Sequence, residues 1–276
     1  MKITARDLTF DVVEGGPADG REPVLLLHGF PQHSGEWAAV TPHLHAAGLR
    51  TYALDQRGTS PGARPEAVEA YRITECALDV VAVLDALGLA SVHLVGHDWG
   101  AVCAWNVALR HPERVRTLTA VSLPHPHASA HATSTDPDQK ARFGYIKLFR
   151  QAGVAEERLL AEDARRLRRL FDGSGLSAEA VDGYVRPLLE PGALTAALNW
   201  YRAMSPLDLV GLGPCQVPTT YLWSDGDLAV GPTAARACAE HVAADYRFVP
   251  LAGISHWIPD QAPSEVAAAV LARSLG

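Results

Sequence analysis

The stretch from Val95 to Trp105, VGHDWGAVCAW, limits the possible folds more than any other part of the chain. An apolar strand runs into a turn flanked by glycines, and an apolar helix pattern begins at once. Glycines at 96 and 100 let the chain pass from strand to helix so sharply that residue 98 is held exposed at the carboxyl edge of a sheet. In open α/β sheets ligands bind at that edge. The residue presented there is Asp98, a carboxylate where such an elbow usually carries a serine. Taken alone, GHDWG also fits a plain strand-to-helix turn capped by an aspartate.

The surrounding pattern supplies the sheet. Pro23 to His28 (PVLLLH), Leu49 to Leu54, Val92 to Gly96 and Val115 to Ser122 read as strands, and MKITARDLTFDVV at the N-terminus reads as one alternating strand with Leu8, Phe10 and Val12 on one face. Between Tyr71 and Leu87, the residues Ile73, Ala77, Val80, Val81, Leu84 and Leu87 recur at helical spacing until Gly88 stops them. Strand and helix in alternation predict an α/β fold with a mostly parallel central sheet and helices on both faces. From Pro124 to Pro214 long strands vanish, and amphipathic segments follow one another at Asp138 to Gln151, Ala155 to Phe171 and Ala193 to Met204. Strand signals return at Val217 to Trp223 and Tyr246 to Leu251, and a last helix begins at Ser264. The expected division is a core of residues 1–124 and 214–276, interrupted after the sixth strand by a helical lid of residues 125–213.

Composition narrows the partners. A net charge of −7 over 276 residues argues against nucleic acid, whose phosphates call for clustered Lys and Arg. Cys76, Cys103, Cys215 and Cys238 lack CxxC spacing and read as reduced, buried thiols, not as disulfides or a zinc site. There is no basic-then-apolar leader and no apolar run near the roughly 18 residues of a membrane span. The expectation is a cytoplasmic monomer or homodimer with a small-molecule substrate, no membrane partner, and no metal or organic cofactor. Arg165, Arg166, Arg168 and Arg169 follow Glu156, Glu157, Glu162 and Asp163, which predicts an ion-paired, solvated helix face. His125 and His127 in SLPHPHAS have no further ligands at metal spacing, so they are expected in a loop entering the lid, with imidazoles lining the pocket.

Two more motifs turn the elbow into a site. After VLLL comes His28-Gly29-Phe30-Pro31, a loop placed to offer the Phe30 N–H; with the Trp99 N–H it would form an oxyanion hole. Phe30-Pro31 is a candidate cis bond. Near the C-terminus, GISHWIPDQAPSEV sets His256 between a strand and a helix, and YLWSDGDLAVGP ends a strand with Asp225 and Asp227. The chain order of nucleophile, acid and histidine suits the elbow. Asp227, further out in the loop, is the first choice of acid and Asp225 the alternative.

The carboxylate has a chemical reason. A serine must lose its proton during attack, whereas Asp98 is already ionised at neutral pH. Attack on an acyl carbonyl would give an anhydride, but attack on a saturated carbon bearing a leaving group gives an alkyl ester. A water deprotonated by His256, itself oriented by Asp227, could then cut that ester.

HGFP, GHDWG, the Ser224 to Asp227 loop and SHW together resemble the α/β-hydrolase superfamily, in the aspartate-nucleophile branch of epoxide hydrolases and haloalkane dehalogenases. DQRG at Asp55 to Gly58 matches a turn of these enzymes, although the SPGARP after it departs from the usual continuation. The resemblance implies the α/β-hydrolase fold, and a pocket formed around His28, Pro31, His97, Trp200 and Trp257. Tyr145 in FGYIKLFRQAGVAE and Tyr201 in LNWYRAM resemble lid motifs that bring paired acid tyrosines over the nucleophile. Haloalkane dehalogenases commonly carry asparagine where Phe30 stands, and fluoroacetate dehalogenases carry arginine where Trp99 stands. The balance favours opening of epoxides to vicinal diols. A dehalogenase with the same nucleophile, or a non-catalytic small-molecule receptor, is the alternative.

Overall fold

A computed structural model describes residues 1–20 and 22–275. Its strands are β1 (Lys2–Ala5), β2 (Leu8–Gly15), β3 (Pro23–Leu27), β4 (Arg50–Leu54), β5 (Val92–His97), β6 (Val115–Val121), β7 (Thr219–Gly226) and β8 (Tyr246–Ser255). They form one sheet in the order β1-β2-β4-β3-β5-β6-β7-β8. β1 and β2 are antiparallel to each other and β2 is antiparallel to β4; all the other pairs are parallel.

The unbroken apolar run of β3 explains its place in the middle, because a strand covered on both faces has no polar side. Leu25 and Leu27 face one hydrophobic core with α2 (Ile73–Ala86) and α3 (Trp99–Arg110). Val24 and Leu26 face another, which holds Leu44 of α1 (Thr41–Ala46) and Val266 and Val270 of α12 (Pro263–Ser274). DQRG ties the sheet to α2: Arg57 makes a buried, two-pronged ion pair with Asp79. The unusual SPGARP forms a single 3-10 turn, with the Ser60 hydroxyl donating to Asp55 O and accepting from the Asp11 N–H.

The N-terminal run is two strands where one was expected. Arg6 and Asp7, at φ of 50° and 62°, make a tight reversal, and Ile3 lies opposite Phe10. A two-residue hairpin turn with positive φ at both positions is usually signalled by glycine or asparagine; Arg-Asp carries neither.

Between β6 and β7 runs a series of helices: α4 (Pro126–Thr135), α5 (Pro137–Arg142), α6 (Ile146–Phe149), α7 (Val154–Arg168), α8 (Ala178–Val185) and α9 (Ala193–Ala203). The expected loop at His125 and His127 is corrected to the start of α4. Pro126 opens the helix, where its missing N–H costs nothing, and the His125 side chain caps it by accepting from the His127 N–H. His125 is buried and stacks on His241 at 4.9 Å and on His127 at 5.6 Å. α7 breaks at residues 161–164, where Glu162, Asp163 and Ala164 have positive φ. Three of the four clustered arginines are ion-paired as expected, though partly with other acids: Arg165 with Glu162, Arg168 with Asp163 and Asp182, Arg169 with Asp172. Glu156 pairs instead with Arg202 of α9. α10 (Pro232–Ala237) and α11 (Ile258–Gln261) complete the fold. All four cysteines are free and buried. No described helix is long and apolar enough to cross a membrane.

Candidate active site

The site is assembled where the middle strands end. Asp98 follows β5 with φ of 50°, and α3 starts at the next residue. The turn is this tight because backbone meets backbone: a Cβ on Gly100 would stand 2.0 Å from Leu27 O, and one on Gly96 would stand 2.2 Å from Gly100 O. The loop after β3 closes from the other side. The Phe30 N–H donates to Asp98 Oδ1 at 3.0 Å, and the Phe30-Pro31 bond is cis, as the sequence suggested. Trp99 opens α3, so its N–H belongs to the helix's unpaired first turn.

His256 follows β8 and Asp227 follows β7. His256 Nε2 lies 3.5 Å from Asp98 Oδ2, and its Nδ1 lies 3.0 Å from Asp227 Oδ1. The N–H groups of Ala229 and Val230 also donate to Asp227 Oδ1, at 2.7 and 3.0 Å. Asp225 is exposed and accepts from the Gly253 N–H of the paired strand β8, so it stands apart from the histidine.

All three side chains are buried, and their charges hold one another in place. Burial works against a charge on His256, yet Asp227 and then Asp98 outweigh it and push the imidazole up to about 10. Burial alone would raise both carboxyls, but His256 more than offsets it and each is held below its ordinary value. The arrangement favours a proton on His256 and charge on both carboxyls.

Aromatic rings cover Asp98. Tyr201 of α9 packs edge-on against Phe30 at 5.5 Å and against Trp99 at 5.0 Å. Tyr145, between α5 and α6, lies 6.1 Å from Tyr201 and 5.1 Å from Phe149, ring centre to ring centre. Burial raises both phenols; the negative charge of Asp98 adds to the effect on each, so both lie within its field. The two tyrosines picked out by motif thus come together near Asp98 from separate helical segments.

The remaining residues are placed as follows. His28 is fully buried; its Nε2 accepts from the Gln56 N–H at 3.1 Å and its Nδ1 meets Gly29 O at 2.9 Å. His97 is equally enclosed, with Nε2 3.0 Å from His256 O and Nδ1 3.3 Å from Glu36 Oε2. Neither imidazole offers a free ring nitrogen to a ligand; they brace the two loops that carry Phe30 and His256. Trp200 packs over His28 and Trp99, while Trp257 stacks on Phe171 at 4.4 Å and meets His256 edge-on. Among the described residues no group of His, Cys, Asp and Glu is arranged to hold a metal ion.

Several contributors had no sequence signal. Ser122 donates to Asp227 Oδ2 at 2.6 Å. Glu36 lies fully buried beside His97, and burial, followed by the charge of Asp260, raises its carboxyl well above the usual range. Gln139 of α5 is also fully buried; it donates to Ala229 O and accepts from the Gly231 N–H, both at 2.8 Å, and so grips the loop that carries Asp227. Serine, glutamate and glutamine are common everywhere, and only the fold brings these three to strand ends and loops distant in sequence.

Comparison with known proteins agrees with this fold. Residues 22–263 match the family described as alpha/beta hydrolase fold. The chain is 34% identical to Epoxide hydrolase A of Mycobacterium tuberculosis (strain ATCC 25618 / H37Rv), over 94% of this chain and 92% of that protein. It is similar in structure to Epoxide Hydrolase A from Mycobacterium thermoresistibile, with a TM-score of 0.87, 30% identity, and coverage of 100% of this chain and 98% of the other. It is also similar to the Bacillus megaterium epoxide hydrolase crystallised with an inhibitor, with a TM-score of 0.89, 27% identity and full coverage of both chains.

Proposed function

The chain belongs to the alpha/beta hydrolase fold family, and from that premise we propose that it is an epoxide hydrolase, converting epoxides and water to vicinal diols through an ester on Asp98. The observation that carries the proposal is a single one: a buried carboxylate lies between an N–H donor and an imidazole, close to the buried phenol of Tyr201 and the partly buried phenol of Tyr145. Its relatives in the mycobacteria, named as epoxide hydrolases, support the same reading.

In the first step one oxygen of Asp98 attacks an epoxide carbon, and the ring C–O bond breaks. The alkoxide takes its proton from Tyr201 or Tyr145. Holding these phenols neutral in the resting state keeps that proton available, and the charge that opposed its release leaves Asp98 as the ester forms. Loss of that charge also removes one of the two carboxylates holding the proton on His256. The imidazole can then give its proton up, restoring the phenol by way of solvent, and become a base.

In the second step neutral His256 deprotonates a water that attacks the Asp98 carbonyl carbon. The oxyanion formed would rest on the N–H groups of Phe30 and Trp99. The ester C–O bond breaks, His256 returns the proton to the departing diol oxygen, and the Asp98 carboxylic acid left behind passes its proton to His256, which restores the carboxylate and the imidazolium. In this reading residues 125–213 are a lid over a core of residues 1–124 and 214–276, and Pro31, Trp200 and Trp257 help to shape the pocket.

The test is intact mass on a His256→Gln variant exposed to small panels of epoxides and haloalkanes. An added mass equal to the whole epoxide, mapped to Asp98, is the expected result. Addition of an alkyl group with release of halide would overturn the proposal in favour of a dehalogenase.

A further inference from the structure

Ser122 follows β6 with φ of 70°, a left-handed conformation that glycine adopts freely and serine only at a cost. The neighbouring strand fixes it there: the Ser122 N–H donates to Leu222 O at 2.9 Å, and the Tyr221 hydroxyl donates to Ser122 O at 2.6 Å. A glycine would meet the backbone requirement with less strain. The residue present instead carries a fully buried hydroxyl, whose proton goes to Asp227 Oδ2 at 2.6 Å and whose oxygen stands 3.1 Å from His256 Nδ1.

The two contacts fit one another. The hydroxyl donates to the carboxylate and turns a lone pair to the imidazole, so the Nδ1–H is shared between Asp227 Oδ1 at 3.0 Å and Ser122 Oγ at 3.1 Å. Ala229 and Val230 already hold Oδ1, and Ser122 is the side chain that holds Oδ2. Without it the carboxylate could rotate about its Cβ–Cγ bond and the imidazole plane would follow.

We infer that Ser122 is a positioning residue for ester hydrolysis, locking the Asp227–His256 pair so that Nε2 addresses the water that attacks the Asp98 ester. The inference rests on the covalent reading above. In that reading His256 serves as a base only in the second step, so loss of the hydroxyl affects the two steps unequally.

Single-turnover measurements on Ser122→Gly and Ser122→Ala are expected to show ester formation near the wild-type rate. Ester hydrolysis is expected to slow by about ten- to a hundredfold, the scale of one hydrogen bond to a charged group. Ser122→Asn accepts a left-handed φ and supplies an N–H donor, so it is expected to recover most of the loss. A glycine variant with wild-type hydrolysis would overturn the inference, as would equal slowing of both steps. A second readout needs no substrate: the downfield proton resonance of His256 Nδ1–H is expected to shift in Ser122→Gly and to return towards its wild-type position in Ser122→Asn. An unmoved resonance would sink the role of Ser122 even if every epoxide is turned over. Failure of His256→Gln to form any adduct, with the resonance shifted as expected, would remove the ester and leave the Ser122 contact standing.

Discussion

At the scale of single residues, the proposed mechanism gives one task to two phenols. Tyr201 is enclosed between Phe30 and Trp99, whereas Tyr145 reaches the same place from another segment. If both can protonate an opening epoxide, Tyr201→Phe slows diol formation only in part, because Tyr145 remains. The double variant with Tyr145→Phe is expected to lose about 10²–10⁴-fold, the usual range for general acid catalysis. Steady-state rates on one epoxide check this, and wild-type activity in the double variant would refute the assignment. Asp98, His256 and Asp227 could be read from the chain because each sits in a short local motif at the end of an apolar strand. Ser122 could not, since its role depends on strands β6, β7 and β8 lying side by side, and SLP carries no local mark of that.

At the scale of elements, the apolar runs gave the buried strands β3 to β6 to within one residue, because a doubly covered strand has no other way to hide its side chains, whereas β7 and the exposed β8 run three and four residues beyond their apolar runs. What stayed hidden were features made by conformation without a distinctive residue. The Arg6-Asp7 turn and the start of α4 among prolines and histidines are both of this kind. The contact between α5 and the β7 loop is another, and it has an energetic consequence. Gln139 satisfies one buried carbonyl and one buried N–H at once, and Arg142 from the same helix donates to Asp227 O. Gln139→Leu keeps the bulk and removes both bonds, which is expected to cost about 1–3 kcal/mol for the polar groups left unpaired. Chemical denaturation measures that loss. Hydrogen exchange is expected to be fastest to change at Gly231, and unaltered protection there would show that the grip is unimportant.

At the scale of the whole molecule, buried histidines set opposite limits on stability. Burial holds His28 and His97 down to about 4 and His125 to about 3, so the unfolded chain binds more protons than the folded one below the ordinary value of 6.5. Their contribution is present above 6.5 and is lost as pH falls towards these values. His256 has the opposite sign: raised to about 10 against burial by Asp227 and Asp98, it contributes fully below 6.5, and its contribution is lost as pH rises through about 10. The melting temperature is therefore expected to peak near pH 6.5 and to fall on both sides. Between there and about pH 8.5, before the thiols of the unfolded chain ionise, His256→Gln should remove the His256 contribution to the alkaline limb. A wild-type profile flat from pH 5 to 8 would contradict this account. The crowding around the elbow has a further consequence, for heredity. A side chain at Gly96 or Gly100 would have to enter the backbone of its neighbours, so variation there is removed before selection can weigh a new substrate against an old one. A mutant library spread evenly over the gene would return its altered specificities from the helices between β6 and β7, while the ground beneath Asp98 would be inherited unchanged.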